Sequence, residues 1–120
     1  MSESNIKKKS FELAVSGIKF YKSLVSEKKE FVMSKQFLRS VTSVGANVRE
    51  AINAQSKADF IHKLSISQKE CDETMYWLEL LRDTDYISVE EFKGIYPQCE
   101  EALKIIRSII MTSKKKTHNS

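Results

Sequence analysis

The stretch SKADFIHKLSISQKECDETMYWLELLRD, residues 56–83, carries the strongest helical pattern in the chain. Its spacing of three and four positions is that of an α-helix with one main face. Ser56 can accept a hydrogen bond from the free N–H groups of the first turn, and Asp59 complements the helix dipole. Phe60 and Trp77 widen the apolar face, which predicts contact with more than one neighbouring helix. The stripe runs through Ile61, Leu64, Gln68, Cys71, Met75, Leu78 and Leu81.

Three further segments repeat the helical period: about 8–25, about 31–54, and a last one that begins near Ser88. Ser88 and Glu91 form a capping box at the start of the last segment. In the second segment Gly45 lies among small residues, which predicts close approach of another helix. A ligand site on the exposed backbone is the alternative interpretation of Gly45.

The fourth segment contains two residues that interrupt helices, Gly94 and Pro97. Proline removes one intrahelical hydrogen bond and disfavours helical geometry in the residue before it. The segment is therefore predicted either to kink near residues 93–97 or to restart with Pro97 in its first turn.

The predicted fold is an all-α, antiparallel, up-down-up-down four-helix bundle, because the three connections between the helices are short. One Pro and three Gly among 120 residues are too few turn signals for a β-sandwich. The bundle is predicted over residues 8–112, between a flexible basic N-terminus, 1–7, and a flexible basic tail, 113–120.

The composition predicts a cytoplasmic protein. At 41% hydrophobic and 30% charged residues, the chain is typical of a globular domain. It has no secretory leader and no apolar run of about 20 residues that could cross a membrane. Cys71 and Cys99 are isolated from each other in sequence, and we expect two buried thiols in a reducing compartment.

The net charge of +4 is concentrated at the chain ends. Residues 1–10 carry +2 and residues 112–120 carry +3, which leaves the body of the chain at −1. A nearly neutral body weakens any argument for a nucleic-acid-binding domain from the overall charge alone.

No motif in the chain predicts catalysis, a metal or a cofactor. Glu70 and Glu73 are paired carboxylates, but the bundle metal sites require a histidine three residues after a glutamate, and this chain has none. His62 is the one histidine of the predicted bundle and has no nucleophile motif around it. We therefore predict that the protein is not an enzyme.

Polar residues on the second and third helices are more informative, namely Asn47, Glu50, Glu70 and Glu73. Since the two helices run antiparallel from a turn near residues 54–58, Glu73 is predicted to face the region of Arg39 or Ser40. We expect hydrogen bonds that set the helix register or a subunit contact. A ligand or nucleic-acid site is the alternative.

Two segments resemble the signature of the small four-helix-bundle proteins encoded in 23S ribosomal RNA intervening sequences. They are SVGANVREA, residues 43–51, and the run from Asp59-Phe60 to KECDETMYWL, residues 69–78. The resemblance covers about residues 8–112. The family positions are Asn47, Glu50, Phe60, Glu70 and Glu73, and none has a catalytic role.

The resemblance implies a left-handed bundle that assembles as a ring-shaped homopentamer and has no established enzymatic activity. The accessory protein of diversity-generating retroelements, which shares this fold, is expected to engage nucleic acid and reverse transcriptase. The Gly94 and Pro97 pair departs from the family pattern.

Two functional hypotheses follow for this chain. The first is a non-enzymatic oligomer that binds RNA as an accessory factor, and the second is a protein-binding scaffold without nucleic-acid contact. The cations predicted to contribute to an RNA site are Lys7, Lys8, Lys9, Arg39, Arg49, Lys114, Lys115 and Lys116.

Overall fold

The structure, a computed structural model, describes the backbone of residues 2–119 and the side chains of residues 5–116. Within that part of the chain there are four helices and no strand. Met1 and Ser120, at the extremes of the two predicted tails, lie outside the described residues. The helices are α1 (Ser2–Ser26), α2 (Met33–Ile52), α3 (Lys57–Asp83) and α4 (Val89–Asn119).

The four helices form a bundle of 52 × 21 × 21 Å. Each packs against its neighbours in the order α1–α2–α3–α4, and α4 closes the ring against α1. In the described residues, the Cα atoms of diagonally opposite helices stay more than 8 Å apart. The predicted all-α antiparallel four-helix bundle is confirmed. None of the helices within residues 2–119 is both long and apolar enough to span a bilayer.

The starts of α3 and α4 form as the sequence predicts. The Ser56 hydroxyl accepts from the Asp59 N–H at 3.0 Å. The Glu91 N–H donates to the Ser88 hydroxyl at 3.0 Å, and the Ser88 N–H donates to the Glu91 carboxylate at 2.9 Å. These bonds satisfy N–H groups that the first helical turn leaves without an internal partner.

The start of α2 depends on a buried carboxylate that the sequence pattern does not reveal. Glu30 lies in a run of charged residues that resembles a solvated loop, yet it is only 6% exposed. Its carboxylate accepts backbone N–H groups of Val32, Met33 and Ser34 at 3.2, 3.1 and 2.7 Å. The Ser34 hydroxyl donates back to the Glu30 carbonyl at 2.7 Å. Glu30 therefore caps α2 from three residues before the helix begins.

α4 is one continuous helix, with Pro97 inside it. The alternative in which the helix restarts at Pro97 is therefore wrong. Hydrogen bonds to the helices on both sides hold the segment. Tyr96 donates to the Glu79 carboxylate of α3 at 2.6 Å, and Ser16 of α1 donates to the Gln98 side chain at 3.1 Å. These tertiary bonds offset the intrahelical bond that proline removes.

Both terminal helices are longer than the periodicity predicts. α1 begins at Ser2 and α4 ends at Asn119, so the backbone is helical through most of residues 1–7 and 113–120. The apolar period weakens in these outer turns because they are rich in lysine, although Ile6 is buried in the core. The flexibility predicted for these two segments stays a prediction.

Two glycines allow α1 and α2 to approach closely. A Cβ atom on Gly17 would lie 2.6 Å from Val41 Cγ1, and a Cβ on Gly45 would lie 3.2 Å from the Ser10 carbonyl oxygen. The close approach predicted at Gly45 is confirmed. The largest fully buried side chains of the core are Phe37, Thr74 and leucine, isoleucine and valine residues from all four helices.

Candidate nucleic-acid interface

The up-down-up-down topology brings both lysine-rich chain ends to the same end of the bundle. An even number of antiparallel helices places the start of α1 and the end of α4 side by side, next to the α2–α3 connection. We call this region the basic end. Its cations are Lys7, Lys8, Lys9, Arg49, Lys57, Lys63, Lys104, Arg107, Lys114, Lys115 and Lys116.

Several of these cations line grooves between the helices. Lys7 and Arg49 line one groove between α1 and α2. Lys57 and Lys116 line another, between the α2–α3 connection and α4. Lys9 lines a third with residues of α4. Charges that are far apart in sequence therefore lie at one end of the bundle, in three grooves of which two also include a carboxylate, Glu50 or Glu101.

Few carboxylates oppose this charge. Residues 5–12, 46–63 and 100–116 contain eleven Lys and Arg but five Asp and Glu. Lys9 pairs with Glu101 at 2.9 Å and Lys63 pairs with Glu50 at 3.0 Å. The hydrogen bonds to these carboxylates raise the pKa of both lysines. Among the side chains of residues 5–116, the other cations of the basic end make no ion pair.

The opposite end of the bundle is electrically balanced. Residues 18–36 and 78–95 contain seven Lys and Arg and seven Asp and Glu. Two ion pairs there join Lys28 to Glu91 at 3.7 Å and Arg82 to Asp83 at 2.7 Å. The excess positive charge of the basic end therefore comes mainly from the two lysine-rich chain ends, while the opposite end has no net charge.

Arg39 lies away from the basic end, in the middle of the α2–α3 face. Its guanidinium bonds the Glu70 carboxylate at 2.9 Å and also contacts Glu73 Oε2. Trp77 Nε1 donates to the same Glu73 oxygen at 3.1 Å. This bond, with the Arg39 guanidinium, lowers the pKa of Glu73, and Glu73 in turn raises the pKa of Arg39. The register predicted for Glu73 is confirmed, and the charge of Arg39 is already compensated.

Buried hydrogen bonds continue this contact along the α2–α3 interface. The Thr74 hydroxyl donates to the Ser40 hydroxyl at 2.9 Å, and the Ser67 hydroxyl donates to the Val44 carbonyl at 2.8 Å. Each bond requires one alignment of the two helices, since a polar group left unpaired in the core is destabilising. Of the positions predicted to set the register, Glu70 and Glu73 join the two helices through Arg39. The Thr74 and Ser67 bonds are contacts of the same kind at positions that were not predicted.

The remaining motif residues have separate partners. Asn47 donates to the Ser43 carbonyl of its own helix at 2.9 Å. Glu50 reaches across to Lys63 on α3. The structure therefore brings together Glu70 and Glu73 through Arg39, but it does not join them to Asn47 or Glu50.

The reactive side chains form no catalytic arrangement among residues 5–116. Cys71 and Cys99 are free and buried, as predicted, and the Cys71 thiol donates to the Cys99 carbonyl at 3.3 Å. The hydrogen bond with Cys71, together with burial, raises the pKa of the Cys99 thiol, which keeps it protonated. His62 is exposed. In the same part of the chain no three His, Cys, Asp or Glu residues cluster as a metal site would require.

The α1–α2 groove at the basic end is lined in part by Gly45, where the sequence left a ligand site as the alternative to close helix approach. It has a volume of about 430 Å³, and its lining includes Phe11, Ala14, Gly45 and Ala46. Small residues on the facing helices leave this space open. Phe11 is 57% exposed, so its ring is accessible at the groove. The sequence signal for this groove was Gly45 among small residues, whereas Phe11, three residues before Ala14, is indistinguishable there from a core position.

The fold and its charges define an antiparallel four-helix bundle with one cationic end. Residues 2–108 match the family of the 23S rRNA-intervening sequence protein, and the chain belongs to that family. The resemblance stated from the sequence motifs is thereby confirmed.

A solved structure from Bacteroides thetaiotaomicron is similar to this chain over nearly its full length. It is described as a protein with unknown function from the S23 ribosomal protein family. The two chains are 55% identical, the match covers 92% of this chain and 99% of the other, and the TM-score is 0.91. No curated protein matches the chain.

Proposed function

We propose that the protein is a non-enzymatic, cytoplasmic accessory factor that binds RNA through the basic end. The observation that carries this proposal is the convergence of the two lysine-rich chain ends with Arg49 and Lys57 on one surface. Cations without carboxylate partners can neutralise phosphates and release the counterions condensed on the nucleic acid. Arg39 is not part of this surface, since two carboxylates of α3 already bind it.

We also propose that the functional form is a homo-oligomer, a pentamer by analogy with the family. Val15 and Ile18, one turn apart on α1, leave more than a third of their surface exposed and supply an apolar stripe for a subunit contact. Five copies of a weak cationic site would bind one RNA far more tightly than a single copy. A mass near that of a monomer in light scattering would remove this part of the proposal.

Salt-dependent RNA binding tests the proposed function. The basic-end variant combines Lys8→Ala, Lys114→Ala and Lys115→Ala. We expect the plot of log K against log salt concentration to lose about 2 in slope, because each phosphate contact contributes about 0.7 to 0.9.

A matched control removes three exposed or half-exposed cations outside the basic end, with Lys19→Ala, Lys22→Ala and Lys35→Ala. The control should leave the slope close to that of the unmodified protein. Absence of RNA binding by the unmodified protein at low salt would contradict the proposal, as would equal losses in the two variants.

A protein-binding scaffold without RNA contact is the second candidate function. It is favoured by exposed apolar residues at the balanced end of the bundle, where Phe31, Val32 and Val89 are 54%, 75% and 54% exposed. Aromatic and aliphatic side chains of this kind are enriched at protein interfaces. Failure of RNA binding in the salt series would leave this candidate as the function to pursue.

A further inference from the structure

We propose that the α1–α2 groove binds one unpaired base of a single-stranded nucleic acid, with the ring of Phe11 as the stacking surface. This inference rests on the proposed function and names the form of nucleic acid that the basic end recognises. The groove volume of about 430 Å³ lies within the range of small-ligand pockets.

A base has apolar faces and a polar edge, and the apolar part of the groove lining suits the faces. Phe11, Ala14 and Ala46 are apolar and suit the flat faces of an aromatic ring. Gly45 is half-buried and adds no side-chain bulk to the groove. Bases without a pairing partner bind proteins mainly by stacking on aromatic side chains of this kind.

Polar groups at the same groove suit the edge of the base. Asn53 Nδ2 donates a hydrogen bond to the Arg49 carbonyl at 2.9 Å, so the side-chain oxygen of Asn53 is available as an acceptor. Glu50 also lines the groove, and Lys63 holds its carboxylate from α3. Amide and carboxylate oxygens accept hydrogen bonds from the N–H groups of bases.

The charges around the groove favour a nucleic-acid strand over an apolar segment of a second copy. Lys7 and Arg49 line the groove and make no ion pair with the described side chains. An apolar protein segment would cover these two cations without offering a partner, which is unfavourable. A strand that inserts a base brings a phosphate on either side of it, and Arg49 can bind a phosphate with two parallel N–H bonds.

The test pairs a protein change with a change in the RNA. The probes are a short labelled single-stranded RNA, the same strand with abasic positions, and the same strand in a duplex. The protein variant is Phe11→Ala, and Phe31→Ala is the control because it removes a similarly exposed phenylalanine at the balanced end. Circular dichroism verifies that each variant is folded, and light scattering gives its mass.

We expect Phe11→Ala to weaken binding of the intact single strand about ten-fold, a loss typical of one stacked base. Binding of the abasic strand and of the duplex should change little, and Phe31→Ala should bind all three probes as the unmodified protein does. A single-stranded DNA of the same sequence should show the same dependence on Phe11 if the base alone is recognised.

Three outcomes would overturn the inference. Equal losses for the intact and abasic strands would show that Phe11 acts without a base, and no loss for either would show that the groove is unused. A change in mass with Phe11→Ala would show that a second copy covers the groove. Each differs from failure of the proposed function, in which the unmodified protein binds no RNA at all.

Discussion

Replacement of Glu30 by alanine gives the sharpest test of how this bundle is held together. The Glu30 carboxylate is almost fully buried and accepts three backbone N–H groups at the start of α2. Val32, the residue at the N-cap position, supplies no side-chain bond of its own. Glu30→Ala therefore removes the whole side-chain cap of this helix in one step.

The magnitude follows from the number and type of bonds lost. A hydrogen bond to a charged group contributes about 1.5 to 3 kcal/mol when its loss leaves a partner unsatisfied, and a lost helix cap costs about 0.5 to 2 kcal/mol. Because Val32 is exposed, water can reach part of the freed backbone. We expect Glu30→Ala to lower the free energy of unfolding by about 2 kcal/mol, or roughly 8 °C in Tm.

The measurement is urea denaturation followed by far-UV circular dichroism, at one fixed protein concentration because association would also stabilise the fold. Glu30→Gln, which keeps one acceptor oxygen, should lose about half as much as Glu30→Ala. Glu27→Ala is the matched control in the same connection. Glu27 is exposed and accepts only from the Ser23 hydroxyl at 2.9 Å, so we expect a change within about 0.5 kcal/mol. Equal effects of Glu27→Ala and Glu30→Ala would refute the capping argument.

Two further predictions concern the glycines and the pH response of the α2–α3 face. Gly94→Ala should stabilise the fold by about 0.5 to 1 kcal/mol in urea denaturation, since a Cβ there meets no atom within 4 Å. Gly45→Ala should destabilise the fold, because its Cβ would lie too close to the Ser10 carbonyl. A change of the same sign in the free energy of unfolding for both variants would contradict this reasoning. The pKa of Glu73 is lowered from 4.5, so its stabilising bonds persist above that value and are lost as pH falls through the lower folded-state value. Fluorescence of Trp77, the single tryptophan, should report that loss below pH 4.5, and the transition should vanish in Glu73→Gln.

If the basic end binds RNA, the close spacing of its cations determines the range and the salt dependence of the attraction. The bundle is only 21 Å wide, so the cations of α1, α4 and the α2–α3 connection lie on a compact surface. Closely spaced cations attract a strand at long range and weaken steeply as salt rises. In an oligomer that repeats the surface, affinity would depend on the spacing between subunits as well as on each site.

The sequence by itself determined the four helices, their antiparallel order and two of the three caps between them. Apolar spacing and capping residues act within one or two turns, so local pattern is sufficient for them. It also placed Glu73 opposite Arg39, because counting residues from a short turn sets which positions of two antiparallel helices are level. The continuity of the fourth helix through Pro97 was not determined in this way, since hydrogen bonds of Tyr96 and Gln98 to neighbouring helices offset the local effect of proline.

Only the tertiary structure decided what the surface offers. The sequence shows basic tails and a nearly neutral body, while the fold joins those tails to Arg49, Lys57 and Lys63 at one end. It also shows that Arg39 is ion-paired with two carboxylates, that the buried Glu30 caps α2, and that Phe11 lines a groove. The physical reason is the same in each case: charge and exposure depend on distances between helices, and these distances exist only once the helices have packed.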